Sequence, residues 1–302
     1  MHIRIGTRAS SLALAQTNLF IGQLQQKLSF TYEIIKIVTS GDKIKDKPLY
    51  DIGGKALFLK EIEEALLRNE IDCAVHSMKD VPGELPPQLC IAAVLERANP
   101  FDILISKNAN NIIDLPYRAK IATSSPRRRA EILRLRPDII ISDIRGNIQT
   151  RLDKWENSDL DGTILAAAGL ERLGLLDPKF CHVLSPQEMI PAVGQGVIGI
   201  EIRKGDLKME EVCAYVQHAP TWHLLQAERG FLEYLDANCR VPLAAFARYN
   251  DDMIEVDYML SSLSSEWDME YYFTTNKKID VDSAYNCGAS AAEELQMRIK
   301  TT

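Results

Sequence analysis

The segment Ile121-Ala122-Thr123-Ser124-Ser125-Pro126-Arg127-Arg128-Arg129 predicts a β-strand that turns directly into an α-helix. Ile121 and Ala122 are typical of a strand end, Ser125 is a natural N-cap, and Pro126 suits the first helical position because it has no N–H to lose. A helix N-terminus offers unpaired backbone N–H groups, and arginines add forked donors that match a carboxylate. We therefore expect a binding site for an anion here, with a solvated basic helix start as the simpler alternative.

The charge distribution indicates what kind of anion this is. The chain has 302 residues and a formal net charge of −7, which argues against a general nucleic-acid binder. Between Arg118 and Arg151, however, nine Lys or Arg residues stand against only Glu131, Asp138 and Asp143. This window also lacks the aromatic residues that would stack on bases. An acidic protein with one basic region is expected to bind a small polyanion and no nucleic acid.

Composition also bears on the compartment. No apolar run approaches the roughly 18 residues that a membrane-spanning helix needs, and Met1 to Gly6 leads directly into a short strand pattern without a basic segment followed by an apolar one. The six cysteines form no Cys-x-x-Cys pair, and the five histidines have no metal-ligand spacing. We expect a cytoplasmic protein with no membrane association, no disulfides and no metal.

The first two hundred residues alternate short β-branched runs with longer helical patterns, which predicts α/β units around a largely parallel sheet. The predicted strands are Ile3–Gly6, Tyr32–Val38, Cys73–His76, Ile121–Thr123 and Ile139–Ile144. The predicted helices are Leu12–Leu28, Leu57–Arg68, Arg127–Leu135, Gln149–Trp155 and Gln187–Ala192.

After about residue 215 the pattern changes to that of an α+β domain. It predicts a helix over Thr221–Leu235, strands over Leu243–Arg248, Met253–Leu260 and Glu270–Thr275, a turn at Asn250–Asp252, and a last helix over Asp282–Ile299.

Two proline-containing breaks, Ala98–Pro100 and Pro191–Gly196, flank the basic region and are interpreted as crossovers between two hinged lobes. The predicted domains are a first α/β lobe over 1–97 plus 196–215, a basic second α/β lobe over 98–195, and a C-terminal domain over 216–302.

Polar clusters follow the carboxyl ends of the predicted strands, where ligands bind in open α/β sheets, so we expect them to converge. These clusters are Thr7–Ser10, Thr39–Asp42, His76–Asp80, Thr123–Arg129 and Arg145–Asn147.

On these clusters the chain resembles the porphobilinogen deaminase family over nearly its whole length. The motifs that carry the resemblance are Gly6–Ser10 with Leu12–Gln16, Gly53–Lys55, Ala74–Pro82, Thr123–Ser125 with Arg127 and Arg128, Arg145–Asn147 with Arg151, Leu165–Leu170 with Arg172, Pro191–Gly196, and Cys239–Pro242.

The resemblance implies a fold of two hinged, periplasmic-binding-protein-like α/β lobes plus a C-terminal α+β domain with a small antiparallel sheet. It implies a transferase that joins four porphobilinogen molecules head to tail with loss of ammonia and releases hydroxymethylbilane, in tetrapyrrole (haem) biosynthesis. Its partners would be porphobilinogen and the growing polypyrrole, and the chain would be a monomer. A dipyrromethane cofactor, held covalently by Cys239, would act as the primer.

The resemblance also implies roles for individual residues. Asp80 would be catalytic, because a carboxylate near the pyrrole nitrogen stabilises the cation that forms when ammonia leaves. The residues matching cofactor- and substrate-binding positions are Arg8, Ser10, Lys55, Lys79, Thr123, Ser124, Ser125, Arg127, Arg128, Arg145, Gly146, Arg151, Arg172 and Gln195.

Without the family resemblance, the residues alone are also compatible with two other functions. A ligand receptor would also have two hinged lobes with anion donors, although the sequence shows no secretion signal. A nucleic-acid binder could use the basic region, although the net charge and the lack of interleaved aromatic residues oppose it.

Overall fold

The computed structural model describes residues 1–43, 59–236, 241–264 and 269–301. Its strands are β1 (His2–Arg8), β2 (Thr31–Ile37), β3 (Cys73–Ser77), β4 (Leu89–Val94), β5 (Asp102–Ser106), β6 (Lys120–Ala122), β7 (Ile140–Ser142), β8 (Gly162–Ala166), β9 (Cys181–Val183), β10 (Ile198–Arg203), β11 (Leu243–Asn250), β12 (Met253–Leu263) and β13 (Met269–Ile279). Its helices are α1 (Ser11–Gln25), α2 (Ser40–Lys43), α3 (Lys60–Leu67), α4 (Pro126–Leu135), α5 (Ile148–Glu156), α6 (Ala167–Arg172), α7 (Leu207–Ala214), α8 (Ala219–Tyr234) and α9 (Ala284–Thr301), with a short 3-10 helix at Met78–Asp80.

Two five-stranded sheets share one topology. The first has the order β2-β1-β3-β10-β4 and the second the order β7-β6-β8-β5-β9. In each, the first three strands are parallel, and the fourth is antiparallel to both of its neighbours. All other strands of each sheet therefore run the same way, so the prediction of largely parallel α/β sheets is confirmed.

A third sheet is small and antiparallel, with the order β11-β12-β13. The β11–β12 hairpin turns where the sequence predicts it, and Asp251 takes a positive φ of 54° there. Helix α9 packs on β13 and β12. The predicted fold class, two α/β lobes with a C-terminal α+β domain, is thereby confirmed at the level of sheet topology.

The chain divides into two compact units. One comprises Met1–Ala98 and Gly196–His223, and the other Asn99–Gln195 and Leu224–Thr302. Two of the boundaries fall within the proline-containing breaks, and the third sheet belongs to the second unit. The finer division into three domains stays a prediction.

Each α/β sheet is covered on both faces by separate apolar clusters. In the first unit, Ile5, Phe20 and Ile200 belong to a cluster on the α1 face, whereas Ile62 and Ala74 belong to a cluster on the α3 face. Because successive strand residues point to opposite faces, these clusters assign the faces of β1, β3 and β10.

The prediction of a helix over Gln187–Ala192 is wrong. Residues 186–188 form a single turn, in which the backbone N–H of Ser185 and its hydroxyl both donate to the Glu188 carboxylate. Pro191 has no N–H for a further helical bond, and the N–H of Ile190 donates instead to Glu131 of α4.

None of the helices within the described ranges is both long enough and apolar enough to span a membrane.

Candidate active site

At one edge of the first unit, the ends of two parallel strands bring predicted site residues together. Arg8 ends β1, and Ser10 caps α1 by accepting a hydrogen bond from the Ala13 N–H at 3.2 Å. The adjacent strand β3 leads into the 3-10 helix that carries Lys79 and an exposed Asp80. These four residues therefore share one sheet edge, as the alternating pattern predicts.

In the second unit, the three hydroxyls of the segment Thr123–Ser125 build the turn between β6 and α4. Ser125 caps α4 by accepting from the Arg128 N–H at 3.4 Å, and Thr123 Oγ1 accepts from the Ser125 N–H at 3.2 Å. The Ser124 hydroxyl donates to the Ile144 carbonyl at 2.9 Å and accepts from the Ile144 N–H at 3.0 Å. The ends of β6 and β7 are thereby held together.

Arg127 and Arg128 are both buried against Asp102, the first residue of β5. Arg127 donates to one Asp102 oxygen at 2.7 Å, and Arg128 donates twice to the other, at 3.1 and 2.7 Å. The two guanidinium groups also donate to the carbonyls of Ile190 and Ile164, respectively, both at 2.7 Å. Burial alone would raise the pKa of Asp102, but the two guanidinium groups outweigh it and lower that pKa to about 2.

Gln195 belongs to the same buried network. Its amide donates to the Pro100 carbonyl at 2.7 Å and to Asp102 at 3.2 Å. It is 1% exposed. The network thus connects Pro100 with Gln195. These residues stand at the second-unit ends of the two segments that cross between the units.

Arg145, which follows β7, differs from this arginine pair. Its Nε and Nη2 atoms are buried and have no hydrogen-bond partner among residues 1–43, 59–236, 241–264 and 269–301. Buried donors on a partly exposed cation favour an anion as the missing partner.

The loop around Arg145 is shaped by Gly146. Gly146 has a φ of +119°, a conformation that L side chains rarely adopt, and its carbonyl accepts from Arg151 Nε at 2.9 Å. Lys154 Nζ donates to the Arg145 carbonyl at 3.0 Å. Three basic side chains therefore surround one exposed turn.

Arg172 ends α6, the helix that follows β8. Burial lowers its pKa, and the neighbouring Glu171 only partly offsets that effect. Because β8 runs parallel to β6, the start of α6 lies at the same sheet edge as Thr123.

Two family models match the chain. One, described as the porphobilinogen deaminase dipyromethane cofactor binding domain, matches residues 3–211, and the porphobilinogen deaminase C-terminal domain matches residues 222–297. The chain belongs to the porphobilinogen deaminase family.

Curated relatives agree with this assignment. Porphobilinogen deaminase of Rickettsia canadensis is 49% identical over 296 residues, covering 97% of this chain and 98% of the relative. That of Rickettsia prowazekii is 49% identical over 295 residues, covering 97% of each chain. That of Orientia tsutsugamushi is 47% identical over 300 residues, covering 99% of each.

Solved structures give weaker likenesses. A lipoprotein of the YaeC family from Enterococcus faecalis has a TM-score of 0.42 at 14% identity, covering 76% of this chain and 97% of that one. An arginine-specific periplasmic binding protein from Salmonella typhimurium has a TM-score of 0.38 at 13% identity, covering 71% and 91%. Likenesses at this level establish no ligand.

The predicted porphobilinogen deaminase residues fall into three groups. Arg8, Ser10, Lys79 and Asp80 lie at one edge of the first unit, and the predicted residues from Thr123 to Gln195 lie in the second. Lys55 and Cys239, with the motif Gly53–Lys55 and the first two residues of the motif Cys239–Pro242, lie outside the described residues.

Sequence reasoning missed Asp102 and Glu131. Glu131 is buried, and it accepts from the Ile190 N–H at 3.0 Å and from the Tyr272 hydroxyl at 2.8 Å. Burial raises its pKa, which these partners only partly counter. A signal for Asp102 was present, since Phe101-Asp102-Ile103-Leu104-Ile105 places one acidic residue in an apolar run, and such a residue needs a buried cation.

Proposed function

We propose that this enzyme condenses four porphobilinogen molecules head to tail, releases ammonia at each condensation, and then releases hydroxymethylbilane by hydrolysis, in tetrapyrrole biosynthesis. The observation that carries the proposal is the family match over nearly the whole chain, and the exposed carboxylate of Asp80 at a strand end supports it.

Asp80 is the proposed catalytic residue. When ammonia leaves the substrate, positive charge spreads onto the pyrrole nitrogen, and an exposed carboxylate at a strand end is available to stabilise it. At about 4 Å and an effective dielectric constant of about 20, such a pair is worth roughly 4 kcal/mol. Asp80 is an exposed carboxylate at the end of the short 3-10 helix that follows β3, so it is accessible to such a cation.

The residues of the second unit fit a ligand that carries carboxylates. Each pyrrole unit has an acetate and a propionate, and the unmatched Nε and Nη2 donors of Arg145 are suited to such a group. Arg151 and Arg172 are the other proposed cationic partners in this unit, and Thr123, Ser124, Ser125 and Gly146 shape the surface around them. Arg8, Ser10, Lys55 and Lys79 are the proposed partners elsewhere in the chain.

The dipyrromethane cofactor, which we propose is bound covalently through Cys239, supplies the free pyrrole position to which new units are added. Arg127, Arg128 and Gln195 are also proposed to face its carboxylates, but they already bind Asp102. Their main contribution in this proposal is to fix the start of α4, and the direct charge pairing falls to Arg145.

We further propose that the enzyme is a cytoplasmic monomer that binds neither nucleic acid nor membranes. In the part of the chain that the structure describes, Cys73, Cys90, Cys181, Cys213 and Cys287 are free thiols, which accords with a reducing compartment. Light scattering of the purified protein tests the monomeric state.

The intact mass of the purified enzyme tests the activity and the tether together. We expect wild type to carry an adduct equal to two porphobilinogen units less two ammonias, and Cys239→Ser to lack it. Cys181→Ser is the matched control, because Cys181 is a partly buried free thiol with a raised pKa, and it should keep the adduct. A wild-type chain that stays unmodified after incubation with porphobilinogen would contradict the proposal.

A further inference from the structure

Three titratable side chains that interact electrostatically are buried inside the first unit, on the α3 face of its sheet. They are Glu63 of α3, His76 of β3 and Glu201 of β10, which are 8%, 6% and 0% exposed. Nε2 of His76 donates to Oε2 of Glu201 at 2.8 Å. None of the three is among the residues to which the resemblance assigns a catalytic or binding role, although His76 begins the polar cluster His76–Asp80.

The two carboxyl groups of this cluster are incompletely bonded. Oε1 of Glu63 and Oε1 of Glu201 are buried and lack a hydrogen-bond partner among the residues that the structure describes. Burial raises the pKa of Glu63 to about 7, with Glu201 contributing in the same direction and His76 in the opposite one. Glu63 therefore changes its charge near neutral pH.

The cluster lies directly before the turn that carries Lys79 and Asp80. His76 is paired with Gly199 of β10. The 3-10 helix begins two residues later at Met78, whose N–H donates to the Val197 carbonyl at 3.0 Å. In the β1–β3 register, Gly6 is paired with Ala74. If this register is continued by two residues, Arg8 lies level with His76.

Lys60 of α3 is exposed, and most other charged groups on the packed elements have partners elsewhere. On α3, Glu61 binds the Ser40 N–H at 2.8 Å, and Glu64 pairs with the exposed Arg68 at 3.3 Å. On the α3 face of β10, Arg203 donates to the carbonyls of Leu66 and Ile71 and pairs with Asp206. The remaining charged or titratable side chains on β1 and β4 are His2, which hydrogen-bonds with Thr31, Arg4, which pairs with Asp72, Arg8 and Cys90.

We propose that Glu63, His76 and Glu201 are positioning residues for the turn that carries Asp80, and that they hold this turn in place only while Glu63 is protonated. The proposal rests on the proposed function. When Glu63 loses its proton, a second carboxylate is left in a buried site with unmatched oxygens, and α3 packs less favourably against β3 and β10. The last β3–β10 bonds, and with them the turn, are then held less firmly.

The first test uses Glu63→Gln, which has the shape of the protonated Glu63 side chain but cannot lose a proton. Glu64→Gln, one residue along the helix, is the matched control. Steady-state kinetics with porphobilinogen are measured at pH values either side of the Glu63 pKa of about 7. We expect the ratio of the kcat of Glu63→Gln to the kcat of wild type to rise roughly 3- to 10-fold towards high pH. This effect is smaller than the ~10²-fold loss of rate that a misplacement of about 1 Å causes, because the turn is loosened and not displaced.

A purely structural role would change stability without this pH-dependent kcat ratio. A ratio for Glu63→Gln that stays flat, as we expect for Glu64→Gln, would overturn the proposal. Glu63→Asp, which keeps a titratable carboxyl group, should retain the pH step of wild type.

A second measurement needs neither a variant nor substrate. Hydrogen exchange of the Met78 and Val81 amides in wild type, corrected for the intrinsic pH dependence of exchange, should accelerate as the pH rises through about 7. Unchanged protection across this range would refute the positioning role even if Glu63→Gln fails to fold. If wild type instead lacked the mass adduct, the proposed function would be overturned, but the hydrogen-exchange result would be unaffected.

Discussion

At the scale of single residues, the charge of Asp80 is the feature on which the proposed chemistry depends. Asp80→Asn keeps the shape of the side chain but removes its charge, so kcat should fall by ~10² to 10³, the usual loss when one preorganised stabilising group is removed. Steady-state and single-turnover kinetics with porphobilinogen measure it. Glu84→Gln removes another acidic charge four residues away and should change kcat little.

Substitutions of Asp102 and of Arg145 should cause different defects, the first in stability and the second in substrate binding. Asp102→Asn leaves two buried guanidinium groups without their counter-charge, so the free energy of unfolding should fall by about 3 to 5 kcal/mol. Arg145→Gln breaks no ion pair that the structure describes, so it should leave the free energy of unfolding within about 0.5 kcal/mol and raise KM instead.

Urea unfolding together with KM separates the two effects. If Asp102→Asn is as stable as wild type, the arginine pair does not depend on this carboxylate. If Arg145→Gln leaves KM unchanged, Arg145 is not a carboxylate partner.

At the scale of elements, the turn between β7 and α5 is sensitive to a single methyl group. A Cβ atom at residue 146 would lie 2.6 Å from Thr150 Cγ2, and the φ of +119° is itself unfavourable for alanine. Gly146→Ala should therefore lower the free energy of unfolding by about 1 to 3 kcal/mol and weaken substrate binding, because Arg145 and Arg151 share this turn.

Gly174→Ala is the control, because Gly174 also has a positive φ, of 64°, but a Cβ atom added there would meet no neighbouring group within 4 Å. It should lose stability without loss of substrate affinity. Equal effects of both substitutions on KM would show that the β7–α5 turn is not part of the binding surface.

Elements with strong local signals could be predicted from the sequence, and those that depend on tertiary contacts could not. The start of α4 was predictable because Ser125 and Pro126 are local cap signals, and the structure begins that helix at Pro126. The apolar runs of β5 and β10 are buried almost throughout, so they show no alternation that distinguishes a strand from a buried helix. Their antiparallel placement depends on distant partners.

The same limit applies to the site. The polar clusters at strand ends were predictable because parallel strands share an edge, and Arg8 and Asp80 do lie at one edge. The engagement of Arg127 and Arg128 by Asp102 was not, since it joins residues 25 and 26 positions apart through a buried network.

At the scale of the whole molecule, the two units should respond to pH in opposite directions. Asp102 has its pKa lowered from 3.8 to about 2, so its contribution of about 2 kcal/mol to the second unit is present above about pH 4 and is lost as the pH falls towards 2. Glu63 has its pKa raised from 4.5 to about 7, so the first unit loses about 3 kcal/mol as the pH rises from about 4.5 to 7.

Hydrogen exchange resolved by peptide, recorded from about pH 3 to 8, measures this difference. Peptides from β3 and β10 should lose protection towards neutral pH, whereas those from β5 and α4 should lose it towards acid. A common pH dependence in all peptides would contradict the prediction, because it would mean that the whole chain opens as one cooperative unit.

The strand order of the two α/β sheets has a consequence for biosynthesis. All five strands of the second sheet lie in one continuous stretch, 102–183, whereas the first sheet needs β10, at Ile198–Arg203, between β3 and β4. At about 5 to 20 residues per second, a ribosome that has finished β4 takes on the order of 10 s to supply β10. The N-terminal third of the nascent chain therefore remains with two open strand edges, and the later-made sheet can close first. During this interval the nascent chain would depend on chaperones to keep those edges from pairing with other chains.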